Sequence, residues 1–463
     1  MKKLQVLYIA AFFAVCLVPF AGMAMTDQES SSENRTLAEF PQLKTEEGIN
    51  VQWLSDAGEY FQDHFAFRNE LVTANALING KILGTSTASG VIQGTDGWLY
   101  YKDSLEDYLG ENLLEDRSLY NISHILSLMQ EYLAEKNVQF AFTVAPNKNS
   151  LYDANMPYYD SCKVSDNKNL INLRKYLKNE NVSYVDLYEP LAKADEILYH
   201  KRDSHWNNKG AALASDLLLE GLGKEHESYT DETYTVKTDF TGDLDEMLYP
   251  LATTPEDEIY YDRQTTFAYV GEVESNFDPR ITTVNPVKTG SLVMYRDSFG
   301  NALLPFMADA YGNAYFSRGI PYQLTDVDTM AADTVVVERA ERFLSEMAES
   351  APVMPAPERT VSTGEDKADP EAVKDLEIIT QGNYLKISGR IAEKYLDTES
   401  RIYVRTDGDK VYEAFPNDVT LDDGSTDCGG FTLYLPVGTA TEKSNLEILT
   451  GNDESADIIF TKD

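Results

Sequence analysis

Apolar residues run from Leu4 to Met25, broken only by the polar Gln5, and Thr26-Asp27-Gln28-Glu29-Ser30 follows without a positive charge. Lys2 and Lys3 precede the run. Positive charge is retained on the inner side of a membrane, so the remainder of the chain is expected outside the cytoplasm, secreted or held by this segment. Residues 1–25 read as a signal peptide or a membrane anchor. Gly22-Met23-Ala24 has the small-x-small spacing of a cleavage site, yet the run is long enough to span a bilayer uncleaved. Val15 before Cys16 is too bulky for a lipoprotein signal. Residues 26–49 are polar and without period, a tether. From Asn50 to Leu83, Trp53, Leu54, Ala57, Tyr60, Phe61, Phe65 and Leu71 recur at helical spacing and predict one long amphipathic helix.

Beyond a β-hairpin signal at Asp96-Gly97, between Val91-Ile92 and Trp98-Leu99-Tyr100, short apolar strands alternate with helical patterns. Strands are expected at 138–144, 182–187, 291–295, 314–317 and 334–338, with helices at 119–136, 170–177, 211–222 and 302–311. Helices between short apolar strands imply right-handed crossovers and a largely parallel, doubly wound sheet, an α/β domain over 50–350. Residues 225–290 break the rhythm, being acidic and Thr/Tyr-rich, and read as a β-rich insertion or cap. Residues 351–374 have the Pro/Glu/Ala/Ser composition of a linker. After them, 375–463 holds only strand-like runs, at 384–387, 401–404, 431–435 and 457–460, and predicts a small β-sandwich.

Lys and Arg number 39 against 77 Asp and Glu, a net charge of −38. So acidic a surface repels phosphate backbones, and no nucleic-acid partner is expected. The three cysteines, Cys16, Cys162 and Cys428, exclude a disulfide framework and a cysteine zinc cluster; two free thiols are favoured over a Cys162–Cys428 bridge. Asn-x-Ser/Thr triplets at Asn34, Asn121 and Asn181 matter only in a glycosylating host. No Gly-rich phosphate loop and no His-Glu-x-x-His occurs, and Asp422 to Asp427 lacks the spacing of a calcium loop. No cofactor and no metal site is expected.

Ser298 lies in Tyr295-Arg296-Asp297-Ser298-Phe299-Gly300-Asn301, where a buried strand gives way to a helix. A serine at that corner exposes its hydroxyl at the carboxyl edge of the sheet, beside the N–H groups of the helix start. Capping the helix is the plainer use of Asp and Ser there. Asp203-Ser204-His205-Trp206-Asn207 changes the balance. Residues two apart in an extended loop project to one side, so Asp203 can hold one ring nitrogen of His205 and leave the other free, the base and orienter of a nucleophilic triad. The competing reading is a solvated loop before a helix capped by Asn207 or Asn208. Of the other histidines, His64 and His124 read as helix packing, and His200 and His226 as surface residues.

Asp203-Ser204-His205-Trp206-Asn207 followed by Arg296-Asp297-Ser298-Phe299-Gly300 resembles the SGNH-type proteins of alginate O-acetylation and, still more, the DHHW family. Supporting matches are Glu33-Asn34-Arg35 to Pro41, Phe61 to Arg68, Gly94 to Tyr100, Pro146-Asn147-Lys148 and Val337 to Arg342. The resemblance implies a flavodoxin-like SGNH fold in which Ser298 attacks, His205 is general base and then acid, and Asp203 orients it. It implies an extracellular O-acetyltransferase that modifies a polysaccharide through an acyl-serine, with a membrane-bound O-acyltransferase supplying acyl groups. The same triad serves a carbohydrate acetyl esterase, and a non-catalytic glycan-binding scaffold is the remaining alternative. Asp-x-His precedes the serine, unlike ordinary SGNH hydrolases, Arg296 replaces their usual Gly, and their separate Gly and Gly-x-Asn-Asp blocks are not evident. Lys148, Asn301 and Arg318 are therefore the candidate oxyanion donors beyond the Ser298 N–H, with Trp206 a further substrate candidate.

Overall fold

The computed structural model describes residues 2–23, 37–45, 48–83, 90–406 and 410–462. Most of the expected tether, the Ala24 end of the cleavage motif, the Asn34 triplet and the side chains of Val15 and Cys16 lie outside what is described. Lys2–Gly22 is a helix long and apolar enough to cross a membrane, by length and composition.

The single helix expected over 50–83 is two, Trp53–His64 and Arg68–Leu83. Phe67 between them takes a positive φ of 62°, which no right-handed helix continues. The apolar run Phe65-Ala66-Phe67 concealed this corner: Ala66 is buried and donates its N–H to the Pro19 carbonyl (3.1 Å), while Phe67 is 48% exposed.

Seven strands form the central sheet: β1 Gln139–Ala145, β2 Tyr184–Val185, β3 Ala268–Tyr269, β4 Arg280–Val284, β5 Ser291–Tyr295, β6 Asn313–Ser317 and β7 Thr334–Ala340. Their order is β2-β1-β7-β5-β6-β4-β3. The first five are parallel to their neighbours; β4 and β3 close one edge antiparallel. Helices α1 Asp116–Glu135 and α2 Asn169–Asn179 cover one face, α3 Asn208–Gly221 and α4 Gly300–Ala310 the other. The period-2 projection of strand side chains decides this. Val293 and Tyr295 join the cluster under α1, whereas Leu292 and Met294 join the one under α3 and α4. Each such fully buried Leu, Val or Met contributes roughly 1.5–3 kcal/mol relative to exposure.

The 225–290 insertion does two things. Its hairpin, Tyr234–Phe240 with Glu256–Tyr261, encloses the short helix Asp243–Leu248, while β3 and β4 extend the sheet instead of capping it. Ile281 and Thr283 alternate inward, which suits β4 to a sheet edge. Residues 351–374 connect the two parts of the chain, but they are packed rather than free. Ala351, Val353 and Met354 are buried in the cluster beneath α1, and Glu358–Arg359 and Ser362–Asp366 are strands.

The C-terminal part has a six-stranded and a four-stranded sheet. Ile402, Val404 and Ile448 of one share a buried cluster with Ile387, Leu433 and Leu435 of the other. The four-stranded sheet seats Phe415 and Tyr434 in the cluster beneath α1. Across this seam Arg117 donates to the carbonyls of Asp397, Thr398 and Ser400, and Asn121 to Asp418 (2.7 Å). His124 bridges Glu180 (2.7 Å) and Glu413 (2.9 Å), and Arg359 links Glu413 (2.6 Å) to Glu131. Cys162 and Cys428 are both free thiols.

Candidate active site

Strand β5 stops at Tyr295 and α4 starts at Gly300, so Arg296 to Phe299 form the corner at the carboxyl edge of the parallel strands, where open α/β sheets leave a crevice. Asp297 sets its shape. One carboxylate oxygen accepts the Phe299 N–H (2.9 Å), the other accepts the N–H of Ala340 at the end of β7 (2.6 Å), and the Asp297 N–H donates to buried Glu338 (3.1 Å). Burial, then the charge of Asp297, push the Glu338 carboxyl well above its ordinary range. Gly300 is required by proximity, because a Cβ there would lie 2.6 Å from the Arg296 side chain. Ser298 is left half-buried at the tip.

The opposing loop is held from beneath. Lys148, at the carboxyl end of β1 and 4% exposed, donates to the carbonyls of His200 (3.1 Å), Lys201 (3.0 Å) and Asp203. Asn207 caps α3 by accepting the Gly210 N–H (3.0 Å). Gly242 presses on the loop, where a Cβ would meet the Arg202 carbonyl at 2.3 Å, and this closeness lets the Asp243 N–H donate to Asp203 Oδ2 (2.8 Å).

Three predicted side chains meet between these corners. His205 Nε2 lies 2.8 Å from Ser298 Oγ, and His205 Nδ1 lies 2.8 Å from Asp203 Oδ1, which also accepts the His205 backbone N–H (2.8 Å). Burial pulls the imidazole pKa down, but the Asp203 carboxylate outweighs it and leaves it raised. Burial opposes Asp203 ionisation, yet the charge and hydrogen bond of His205 hold its pKa below the ordinary carboxylate range. The electrostatics thus keep Asp203 an anion and make His205 a stronger base than free imidazole.

The other predicted residues sit differently. Lys148, a candidate oxyanion donor, has its ammonium turned to three loop carbonyls. Trp206 is buried and donates Nε1–H to the Phe299 carbonyl (3.2 Å), which ties the two corners together, and it also lines a cavity beside Ser298. Asn301 lines a cavity beside Ser298, with its Oδ1 accepting from Arg296. Arg318 is exposed at the cavity mouth, one guanidinium N–H on the Phe277 carbonyl (3.3 Å). His200 is not a surface residue: it is 4% exposed, stacks on Phe240 at 3.8 Å and pairs with Glu258 (3.0 Å). His226 is half-buried, 3.3 Å from Asp216.

Sequence reasoning missed three contributors. Ser204 Oγ donates to Asp243 (2.6 Å) and lies 3.1 Å from His205 Nδ1; Asp243 is itself 3.6 Å from that nitrogen; and Arg342 Nη2 approaches Ser298 Oγ at 3.5 Å. Burial, then the charge of Asp203, raise the Asp243 pKa. Ligand atoms of Asp203, His205 and Asp243 lie within 4.8 Å of one another, a spacing that suits a metal, but the hydrogen bonds among them already account for the cluster. Two cavities meet at Ser298 and His205. One, of 300 Å³, is rimmed by Tyr101, Arg296, Arg318, Arg342 and Phe343; the other, of 660 Å³, by Phe240, Glu246, Glu258, Phe277 and Asn301.

No curated protein matches the chain. Among solved structures it is similar to Bacillus cereus PatB1, at 17% identity and a TM-score of 0.43, over 55% of this chain and 96% of that one. It is similar to a DHHW family protein from Eubacterium siraeum, at 17% and 0.41, over 55% and 91%. Likeness to Pseudomonas aeruginosa AlgX spans 78% of this chain and 94% of that one, at 11% and 0.38. Residues 91–277, which contain Asp203 and His205 but end before Ser298, match the family model for the SGNH hydrolase-like domain of the acetyltransferase AlgX, and the resemblance read from the motifs is borne out there.

Proposed function

We propose that the protein is an exported O-acetyltransferase that acetylates a polysaccharide through an acyl-Ser298 intermediate. The observation that carries this is the 2.8 Å contact between Ser298 Oγ and the free nitrogen of His205, whose other nitrogen is held by Asp203. Ser298 Oγ attacks the acetyl carbonyl of the donor as His205 takes its proton. The tetrahedral intermediate then collapses, the bond to the donor oxygen breaks, and that oxygen leaves with the proton from His205. In the second half an acceptor hydroxyl gives its proton to His205 and attacks the acyl carbon, the bond from that carbon to Ser298 Oγ breaks, and His205 returns the proton to Oγ. Two cavities flanking one nucleophile suit a donor on one side and an acceptor on the other.

On this reading, residues 50–350 are a flavodoxin-like SGNH domain, 375–463 a small sandwich that binds glycan or acts as a spacer, and residues 1–25 export the chain or anchor it. A membrane-bound O-acyltransferase supplies acyl groups. The acetyl esterase differs only in admitting water to the acyl-enzyme, so water exclusion decides between them. A chromogenic acetyl ester, with and without a xylo-, manno- or gluco-oligosaccharide, tests both. Acetylated sugar marks a transferase, release of acetate alone an esterase, and undiminished turnover by Ser298→Ala removes both.

A further inference from the structure

We infer that Arg342 is the side-chain oxyanion donor of this site, acting with the backbone N–H of Ser298. The inference rests on the acyl-serine reading and adds to it the group that stabilises the charge formed. When Ser298 Oγ bonds to the carbonyl carbon, its proton passes to His205 and the carbonyl π pair moves onto oxygen. That oxyanion is bonded to the same carbon as Oγ, so it forms within reach of a donor that already approaches Oγ. Arg342 Nη2 is such a donor, 3.5 Å away.

Its surroundings fit the task. No carboxylate oxygen lies within 4.0 Å of Arg342 among the described residues, in a chain with 77 acidic and 39 basic side chains. Its neighbour Arg339, by contrast, is paired with Glu346. Three rings hold the guanidinium in place, Phe343 at 4.8 Å, Phe299 at 5.3 Å and Tyr101 at 5.4 Å from its carbon, and its Nε is buried without a hydrogen-bond partner. A cation fixed by aromatic faces rather than by an acid keeps its charge for an incoming anion. Its register is set by the sheet: Arg342 follows β7 by two residues, and the bond from the Ala340 N–H to Asp297 (2.6 Å) clamps the end of β7 to the Ser298 corner. Among the rival cations, Arg318 is exposed at the cavity mouth with one N–H on the Phe277 carbonyl (3.3 Å), and the other two are otherwise engaged. Lys148 faces loop carbonyls, and Arg296 donates to Asn301 and to the carbonyls of Asn276 (2.9 Å) and Asp278 (3.0 Å). The Ser298 N–H has no acceptor among the described residues.

The test uses the full chain, an acetyl ester, and Arg342→Ala beside Ser298→Ala. Loss of one oxyanion donor lowers kcat by about 10²–10³-fold. We expect that loss with KM and Tm close to wild type and undiminished on the high-pH plateau. Arg342 also lowers the pKa of His205. Were that its whole effect, the acid limb of the pH profile would move to higher pH and the rate would recover on its plateau, and this result overturns the assignment. So does a kcat within about threefold of wild type, well short of a lost oxyanion donor. Should Arg342→Ala fail to fold, Arg342→Met keeps the stem among the rings, and the same readouts apply. An inert Ser298→Ala beside a fully active Arg342→Ala overturns only the Arg342 assignment; an active Ser298→Ala removes the acyl-serine reading and this inference with it.

Discussion

Two imidazoles, His205 at the sheet rim and His124 in the seam between the two parts of the chain, have the same first requirement and different consequences. Each is gripped by a carboxylate at 2.7–2.8 Å, and in each the carboxylates outweigh burial and raise the pKa. His124 has a second carboxylate, Glu413, on its other nitrogen; His205 has the hydroxyl of Ser298 and open cavity. A buried imidazole with both nitrogens on acids is a fixed cation that holds elements together. With one nitrogen left to a hydroxyl, it is a base. The second partner, rather than burial or the first carboxylate, separates a structural site from a reactive one.

The largest expected effect breaks the comparison cleanly. Ser298→Ala and His205→Ala each lower acetyl-ester turnover by about 10⁴-fold or more; Ser298→Ala does so with Tm close to wild type, whereas His205→Ala also leaves the buried Asp203 carboxylate without its partner and lowers Tm. His124→Ala leaves kcat of the folded protein unchanged and lowers its stability; a fall in kcat equal to that of His205→Ala in paired assays contradicts the distinction drawn here.

Next in size is Glu413→Ala, which strands His124 and Arg359 without their shared anion. Removing one partner of a buried ion pair costs about 3–5 kcal/mol, read from urea unfolding. The pH dependence of the seam has a definite sign. Glu413, pushed up by burial but pulled down to about 2 by His124 and Arg359, contributes stability above its unfolded pKa near 4.5 and loses it as pH falls toward 2. His124, with its raised pKa, contributes fully below the unfolded 6.5 and loses that contribution as pH rises through its folded value. The stability that Glu413→Ala removes is therefore greatest between about pH 4.5 and 6.5.

On the proposed acyl-serine reading, the same linkage governs rate at the rim. His205 must be neutral to accept a proton, so turnover falls as pH drops through its raised pKa. Asp203→Asn removes the charge that raises it, and alongside a lower plateau the acid limb shifts to lower pH. The smallest effect belongs to Trp206→Phe, which deletes the hydrogen bond to the Phe299 carbonyl and costs about 1 kcal/mol in urea unfolding, with turnover reduced less than by Asp203→Asn.

Much of the α/β part was legible because local pattern and burial agree. Strand 291–295 is apolar from Leu292 onward since both faces are covered, and Asp-x-His is readable because two residues suffice to place the acid beside the ring. What failed was proximity made by the fold. Asp243 reaches Asp203 through the close approach of Gly242, and Arg342 reaches Ser298 through the pairing of β7 with β5, neither of which leaves a local signature. Lys148 shows the converse, a lysine after a strand whose orientation toward carbonyls only packing decides. In the C-terminal part, Phe415–Thr420 escaped notice because Pro416, Asn417 and Asp418 are poor strand formers; the segment is an edge strand against α1, where Asp418 is satisfied by Asn121.

The central claim, that His205 takes the proton of Ser298 as an acyl-serine forms, is tested most directly by the rate at which the Ser298 peptide gains an acetyl group from an activated ester, followed by mass spectrometry in wild type and His205→Ala. The account predicts rapid acetylation of Ser298 in wild type, slowed by several orders of magnitude in His205→Ala. Equal rates in the two proteins, or acetyl found only on other residues, contradict it.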